Sequence, residues 1–353
     1  MLKKTRIAAL AVVVGLSCAP LWAAGDAPSQ KQRFAAAMAQ RASAPERMVA
    51  QLQALSDEGY ARATDRLAYM TYKGIGTAQD IARSKVLFRA AVDAGRTSSL
   101  VSLGKILMSD GDHQDAITAL EAAVREGHAK AAPVLAWAHA TGRLGDLSNK
   151  ARGFSDLEKL ADEDVLAAQM YLLDAAARNN RRPGNLSSVL DRLHARHGDG
   201  NARAAEALLR YYRAQRHPRG SIRTRVALMQ TEGLRDKIRI EEGLYLALAQ
   251  RPEAFWTLSE DLVKDAPRDV FARALSVTAR INKNAYVRIV QKELRAQGYD
   301  VGEPSPYLKA PLIRAIAKFC TDTGMDAACQ FGPLKSTTVK ALAAKLAETR
   351  TPT

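Results

Sequence analysis

The segment ATDRLAYMTYKGIGTAQDIARSKVLFRAAVDAG, residues 63–95, decides the fold of this chain. Apolar residues recur at helical spacing on both sides of a central turn, and that turn contains Gly74 and Gly76. Glycine closes such a turn because it adopts positive φ without steric cost. The segment therefore predicts two antiparallel helices joined by a short glycine-containing turn.

The same pattern returns further along the chain in LGKILMSDGDHQDAITALEAAVREG, residues 103–127. Two features recur at a spacing of 32 residues: the pair Ala90-Ala91 returns as Ala122-Ala123, and Gly95 returns as Gly127. Self-similarity at this interval indicates a repeat protein, in which each helix pair buries its open face against the next. Alternating runs of Val, Ile and Thr are missing, so the sequence predicts an all-α fold.

The first repeat resembles the SEL-like subclass of tetratricopeptide repeats. The positions that carry the resemblance are Leu67, Tyr72, Gly74, Gly76, Asp80, Ala82, Phe88, Ala90, Ala91 and Gly95. The resemblance implies a right-handed helical-repeat solenoid whose surface contacts other proteins. We predict this solenoid over residues 56–284, with its clearest repeats at 63–95 and 99–127, and a helical lead-in over 24–55.

The C-terminal part predicts three more amphipathic helices, in VQKELRAQGYDVG (290–302), AIAKFCTDTG (315–324) and GPLKSTTVKAL (332–342). Their order resembles the peptidoglycan-binding-like domain of bacterial envelope proteins. We predict such a three-helix domain over residues 285–347, able to fold when isolated, and a disordered tail over 348–353. The resemblance is weaker in the binding loop, where Ser305-Pro306 replaces the usual Asp-Gly and Lys309 replaces a glycine.

Three residues around this loop are candidates for glycan binding. Tyr299 and Tyr307 flank the loop, and an exposed tyrosine pair beside a rigid proline could stack on a sugar ring. Lys309 adds positive charge suited to the carboxylates of peptidoglycan stem peptides. The alternative is that the tyrosines only plug the domain's hydrophobic core.

Cys320 and Cys329 form an even pair once the third cysteine, Cys18, is either removed or lipidated. In an oxidising compartment we predict a disulfide between them. The alternative is two buried thiols that never meet.

The N-terminus has the layout of a secretory signal peptide, predicted over residues 1–23. Lys3, Lys4 and Arg6 precede an apolar run at 7–16 that is too short for a stable membrane anchor. We therefore predict a periplasmic protein. Lipidation at Cys18 would instead give an outer-membrane lipoprotein, the one case in which we predict membrane contact.

The chain has a formal net charge of +15, and removal of the leader leaves +12. Such a surface attracts polyanions through its long-range field. We find no nucleic-acid-binding motif, so we predict no nucleic-acid partner and favour peptidoglycan, an anionic polysaccharide or an acidic protein. The alternative is a merely solvated basic surface.

Catalytic patterns are absent from the sequence. There is no GxxxxGK[ST] phosphate loop, no HExxH and no GxSxG. His194 and His197 lack further metal ligands at recognisable spacing, so we interpret them as a solvent-facing pair. The adjacent carboxylates Glu241-Glu242 and Glu260-Asp261 are interpreted as ordinary surface charge. We predict no catalytic residues, no cofactor and no metal.

These observations favour a non-catalytic periplasmic scaffold for an envelope complex. By resemblance, solenoids of this subclass assemble machines that make or export polysaccharides such as alginate. One alternative is a peptidoglycan-binding factor that positions a partner in cell division or morphogenesis. Another is a polysaccharide-acting enzyme whose site is not recognisable in the sequence.

Overall fold

The computed structural model describes residues 28–179, 183–215 and 218–350. Throughout these ranges the regular structure is helical, with no strand. No described helix combines the length and apolar character that crossing a lipid bilayer requires. The predicted signal peptide, with Cys18, lies outside the described residues, as do positions 351–353 of the predicted tail.

The chain divides into two compact units, Met1–Ile106 and Leu107–Thr353, and the division falls inside one helix. The helices of the first unit are α1 (Gln30–Ala39), α2 (Pro45–Asp57), α3 (Ala61–Lys73), α4 (Ile81–Asp93) and the larger part of α5 (Ser99–Asp110).

The first unit is held together by an apolar core between α1, α2 and α3. Met48 and Leu52 from α2 meet Leu67 and Met70 from α3, and all four are essentially inaccessible to solvent. The Ser84 hydroxyl, buried in α4, donates to the carbonyl oxygen of Ala68 in α3 at 2.8 Å. Helical spacing of apolar residues thus directs each helix toward its neighbour, as the repeat pattern predicts.

The turn between α3 and α4 shows why the repeat needs glycine. Gly74 ends α3 with φ of 66°, and Gly76 follows with φ of 68°. A methyl group on Gly76 would lie 2.2 Å from the carbonyl oxygen of Pro45, so no side chain fits there. Gly76 is therefore required both by its conformation and by the close approach of α2.

The paired alanines of the repeat do not act alike. Ala91 is buried in α4, whereas Ala90 is exposed. In α6 the same division holds, with Ala123 buried and Ala122 partly exposed. Gly95 and Gly127 each follow their helix at positive φ, 87° and 73°. Only the second alanine of each pair packs in the helix interface.

The second unit consists of fourteen further α-helices within the described ranges. They are α6 (His113–Arg125), α7 (Ala131–Thr141), α8 (Lys150–Asp162), α9 (Leu166–Asn179), α10 (Leu186–Gly198), α11 (Ala202–Ala214), α12 (Ile222–Met229), α13 (Asp236–Ala247), α14 (Pro252–Lys264), α15 (Arg268–Ile281), α16 (Lys283–Ala296), α17 (Ala310–Asp322), α18 (Asp326–Cys329) and α19 (Ser336–Thr349). Consecutive helices pack side by side, which confirms the prediction of an all-α, helical-repeat fold.

One apolar cluster joins α7 through α12. Leu157, Leu172, Leu193 and Leu208, from four successive helices, are fully buried in it. At its edge Trp137 stacks on Tyr171 with the ring centroids 5.0 Å apart. Helix pairing therefore continues where the repeat fingerprint in the sequence has faded.

A second large cluster fills the C-terminal part, and it crosses the predicted domain boundary at residue 285. Leu244 of α13, Val263 of α14 and Phe271 of α15 share one core with Val290 and Leu346. The last two lie in α16 and α19, inside the predicted three-helix domain. The C-terminal helices are therefore built onto α13–α15 as one packed body.

Candidate functional site

The predicted glycan-binding region contains an open groove beside Tyr299. The groove has a volume of about 490 Å³ and lies between the end of α16 and one face of α17. Its lining residues are Gln297, Gly298, Tyr299, Asp300, Arg314, Ala315, Lys318 and Asp322. Cations and carboxylates thus stand together around one aromatic ring.

Tyr299 is fixed in this groove by both ends of its side chain. Its ring meets the buried ring of Phe319 edge-on, with centroids 5.6 Å apart. Its hydroxyl donates to Asp322 Oδ2 at 2.9 Å, and Lys318 Nζ donates to the same carboxylate at 3.1 Å. The ring of Tyr299 therefore packs on the core while its hydroxyl faces the groove. This position combines features of both roles that the sequence leaves open, a sugar-stacking ring and a plug of the core.

The electrostatics of the groove follow from these contacts. Hydrogen bonds from Lys318 and then from Tyr299 lower the pKa of the Asp322 carboxyl. Partial burial, together with the bond to Asp322, raises the pKa of the Tyr299 hydroxyl. At neutral pH Asp322 is therefore ionised and Tyr299 is neutral, and the groove presents two acidic residues, Asp300 and Asp322, beside two cations.

Tyr307 and Lys309 do not line this groove. Tyr307 projects from the loop with 61% of its surface exposed, and Lys309 is exposed at the residue that precedes α17. The structure therefore brings only one of the three candidates into the groove. Glycan binding by Tyr299, Tyr307 and Lys309 stays a prediction.

Gln291 of α16 holds the loop between α16 and α17 through side-chain hydrogen bonds. Its amide donates to the carbonyl oxygens of Val301 and Glu303 at 3.1 and 2.8 Å, and its Oε1 accepts from the Ser305 amide at 2.9 Å. Ser305 is buried, and its hydroxyl accepts from the Tyr307 amide. The loop that contains Ser305-Pro306 is therefore held by hydrogen bonds to the buried Gln291 side chain and by the bond from the Tyr307 amide to Ser305.

The predicted disulfide is confirmed. Cys320 near the end of α17 and Cys329 at the end of α18 are bonded, with an S–S distance of 2.02 Å. The Met325 amide donates to the Cys320 carbonyl oxygen at 2.7 Å, which folds the short connection back on α17. The bond fastens α18 to α17 next to Phe319.

The interpretation of Glu241-Glu242 as surface charge is wrong. Glu242 is fully buried and Glu241 is 6% exposed. Glu242 Oε1 accepts from Arg225 Nε at 2.5 Å, and Arg273 Nη2 donates to Glu241 Oε2 at 2.6 Å. Arg213 contacts both carboxylates at 3.4 and 3.2 Å. Burial, opposed by the neighbouring arginines, raises the pKa of Glu242.

The interpretation of the second adjacent pair, Glu260-Asp261, as surface charge fits Asp261 but not Glu260. Asp261 is exposed, but Glu260 is 7% exposed and receives hydrogen bonds from Arg288 and Lys292 of α16. Burial alone would raise the pKa of Glu260, but these two hydrogen bonds outweigh it and lower the value. Burial of these glutamates could not be predicted from their sequence neighbours, because the arginines and the lysine that neutralise them lie on other helices.

His194 and His197 are not a solvent-facing pair either. His194 Nε2 lies 2.6 Å from the hydroxyl of Tyr212, and His197 Nδ1 lies 3.1 Å from the hydroxyl of Thr231. Burial lowers the pKa of His194. Each ring therefore makes a separate contact, His194 with α11 and His197 with the segment between α12 and α13. Among the described residues there is no group of three or more His, Cys, Asp or Glu side chains that could hold a metal.

No protein-family model and no curated protein matches this sequence. Two solved structures are similar in part. A Sel1 repeat protein from Oxalobacter formigenes is 18% identical with a TM-score of 0.41, over 63% of this chain and 89% of that one. The antigen c5321 of uropathogenic Escherichia coli, which displays an SLR fold, is 15% identical with a TM-score of 0.39, over 90% and 80%. Both scores are low, and the architecture stands on the helix contacts described above.

Proposed function

We propose that this protein is a non-catalytic scaffold in the periplasm, where it organises an envelope complex that makes or exports an exopolysaccharide of the alginate type. The observation that carries the proposal is the helix-pair architecture with its glycine turn at Gly76. Tandem helix pairs bury their inner faces against each other and present extended outer surfaces to partners.

Two further observations support the compartment and the polymer. The Cys320–Cys329 disulfide is typical of proteins that fold in oxidising compartments, which agrees with the predicted leader. The formal net charge of +12 after loss of the leader favours contact with an anionic polymer.

The proposal is tested by capture from cells. The full-length precursor with a C-terminal affinity tag is expressed, cells are cross-linked, and envelope extracts are purified and identified by mass spectrometry. We expect polysaccharide synthase or outer-membrane export components, absent from a control in which the tag is exported alone. Recovery of division proteins in their place would contradict the exopolysaccharide role.

A second candidate, a wall-binding positioning factor, is favoured by the Tyr299 groove. Its mixture of Asp322, Lys318 and Arg314 suits a stem peptide that carries both charges. In this case the protein sediments with purified sacculi, and Tyr299→Ala or Arg314→Ala reduces the sedimented fraction, whereas Lys31→Ala does not. Shortening of glycan strands during the incubation would show the third alternative, an enzyme.

A further inference from the structure

A different groove in the second unit lies between α15 and the first turn of α19. It has a volume of about 470 Å³. Four of its lining residues are the cations Arg273, Arg280, Lys283 and Lys340. None of the sequence motifs pointed to it, because α15 lies outside the predicted C-terminal domain and α19 inside it.

The charge of this groove has one sign. All four charged lining residues are cations, and no carboxylate lines it. The groove beside Tyr299 has two acidic lining residues, and a third groove, next to Glu260, has three of them. Because cations that line a concavity reinforce each other's field, this groove attracts anionic groups.

The cations are available to a ligand. Within the described ranges Lys283 and Lys340 are exposed and make no salt bridge or side-chain hydrogen bond. Arg280 donates only to the neutral hydroxyl of Tyr245, at 2.8 Å, so its charge is uncompensated there. Arg273 is bonded to Glu241 yet keeps 57% of its side chain exposed. Three of the four charges therefore have no internal counter-ion.

The arrangement suits a linear strand with repeated anionic groups. Arg273 and Arg280 lie two turns apart on one face of α15, about 10 Å along the helix axis. The Ser276 hydroxyl lies between them in sequence; it donates to the Ala272 carbonyl oxygen at 2.8 Å and can still accept a hydrogen bond, and Ser336 and Lys340 lie on the α19 side. Guanidinium groups bind carboxylates through paired hydrogen bonds, and serine hydroxyls can bond to sugar hydroxyls.

The remaining lining discriminates between polyanions. It contains Val277, Ala279, Leu334 and Val339, and no aromatic side chain. Single-stranded nucleic acids are held chiefly by stacking of bases on aromatic rings, which this groove does not offer. Aliphatic walls suit the C–H faces of sugar rings. The chemistry thus favours a carboxylated glycan over a nucleic acid.

We propose that this groove binds a strand of carboxylated polysaccharide, a polyuronate, through Arg273, Arg280, Lys283 and Lys340. The inference rests on the proposed function, because that function brings the protein together with such a polymer. It adds the place of binding, which is separate from the Tyr299 groove.

The test uses the mature chain and a size-defined polymannuronate oligosaccharide, with binding followed by calorimetry at low and at physiological salt. The groove variant is Lys283→Ala/Lys340→Ala, which removes two exposed side chains that make no hydrogen bond or salt bridge within the described residues and leaves the core intact. The matched control is Lys31→Ala/Lys130→Ala, which removes the same charge from exposed positions elsewhere. Thermal unfolding checks that all three proteins are folded.

We expect the groove variant to bind roughly tenfold more weakly and with a shallower salt dependence, and the control to bind within about twofold of wild type. Equal losses in both variants, or none in either, would overturn the groove and leave the scaffold proposal standing. Binding of single-stranded DNA in place of the polyuronate, lost in the groove variant, would overturn the choice of ligand. Capture of export components by the groove variant in cells tests the scaffold independently.

Discussion

At the scale of residues, the main feature of the second unit is a set of buried carboxylates with cationic partners on other helices. Glu206 pairs with Arg235, Glu242 with Arg225, and Glu260 with Arg288 and Lys292. Transfer of a charge out of water is costly unless a partner and hydrogen bonds compensate for it. These pairs therefore fix which helices can be neighbours, because any other pairing leaves a buried charge alone.

The strongest effect is expected at Glu242. The change Glu242→Ala leaves Arg225, which is 3% exposed, without its counter-ion, so the free energy of unfolding should fall by about 3–5 kcal/mol. Urea denaturation measures it. The exposed control Glu232→Ala should lie within about 0.5 kcal/mol of wild type. A small loss for Glu242→Ala would mean that water reaches Arg225.

Glu260 gives a prediction for pH. Its pKa in the folded protein is below the ordinary value of 4.5, so the folded state binds fewer protons than the unfolded state between the two values. The ionised Glu260 side chain therefore stabilises the folded protein fully above pH 4.5, and this contribution is lost as the pH falls through the lowered pKa of Glu260. We expect Glu260→Gln to be less stable by roughly 1–3 kcal/mol at pH 7, a difference that shrinks in acid.

The control for this experiment is the adjacent carboxylate. Asp261 is exposed, so Asp261→Asn should show no comparable pH-dependent difference from wild type. A Glu260→Gln deficit that is constant from pH 7 to acid would contradict the ion-pair explanation.

At the scale of elements, helix pairs approach so closely that small residues and one covalent bond decide their geometry. In α8, a methyl group on Gly153 would lie 2.3 Å from the backbone nitrogen of Ala140 and 2.6 Å from the carbonyl oxygen of Ala136, both in α7. Backbone cannot yield as a flexible side chain can. The α7–α8 pair therefore requires glycine at this position, although its φ is ordinary for a helix.

Gly153→Ala should consequently destabilise the protein. Overpacking costs about 1–3 kcal/mol and alanine brings a helix interior a gain of about 1 kcal/mol, so we expect a net loss of up to about 2 kcal/mol. Gly198 is the matched control, because it ends α10 and a methyl group there meets nothing within 4 Å. Gly198→Ala should be neutral or slightly stabilising. Thermal unfolding compares them, and equal melting temperatures would refute the close-contact argument.

The disulfide acts on a different element, the short α18. Removal of the bond in Cys320→Ala/Cys329→Ala should lower stability by roughly 2–3 kcal/mol, since the bond closes a loop with a sequence separation of 9. Reductant should destabilise the wild type by a similar amount and leave the variant unchanged. Thiol labelling of the denatured, unreduced mature chain should detect neither cysteine, and labelling of both would disprove the bond in the exported protein.

At the scale of the molecule, the C-terminal helices share their core with the helices that precede them. Val263, Phe271 and Leu275 pack in the same cluster as Val290 and Leu346. Two arginines reinforce the junction: Arg268 donates to the carbonyl oxygens of Ala347 and Glu348, and Arg350 donates to those of Lys264 and Ala266. Arg350 also lies over the ring of Phe271, 4.1 Å from its centroid.

This continuity changes the expectation for isolated fragments. Residues 285–350 alone would expose the apolar faces of α16 and α19, so we expect no cooperative unfolding transition from them. Residues 236–350, which retain α13–α15, should unfold cooperatively. Circular dichroism during heating measures both. A sharp transition from the shorter fragment would show that the three-helix domain is autonomous, as its sequence suggests.

The sequence by itself determined the features that depend on near neighbours. Helical periodicity, the turn around Gly74 and Gly76, and the pairing of Cys320 with Cys329 could all be predicted, because each depends on spacing within a few tens of residues. The sequence named Tyr299 as a candidate for glycan binding; the structure places it beside a surface groove, and the binding itself stays a prediction. No sequence pattern pointed to Arg314 and Lys318, which line the same groove.

Only the tertiary structure decided which charges are buried and which are free. The sequence around Glu241 is typical of a surface residue, and its partner Arg273 lies 32 residues away. Lys283 and Lys340 line the same groove only because α19 packs on α15. The same long-range packing joined the predicted C-terminal domain to α13–α15. The spacing of apolar residues determines which face of each helix is buried. Which helix packs against this face depends on apolar contacts and ion pairs between residues far apart in the sequence, and these exist only in the folded unit.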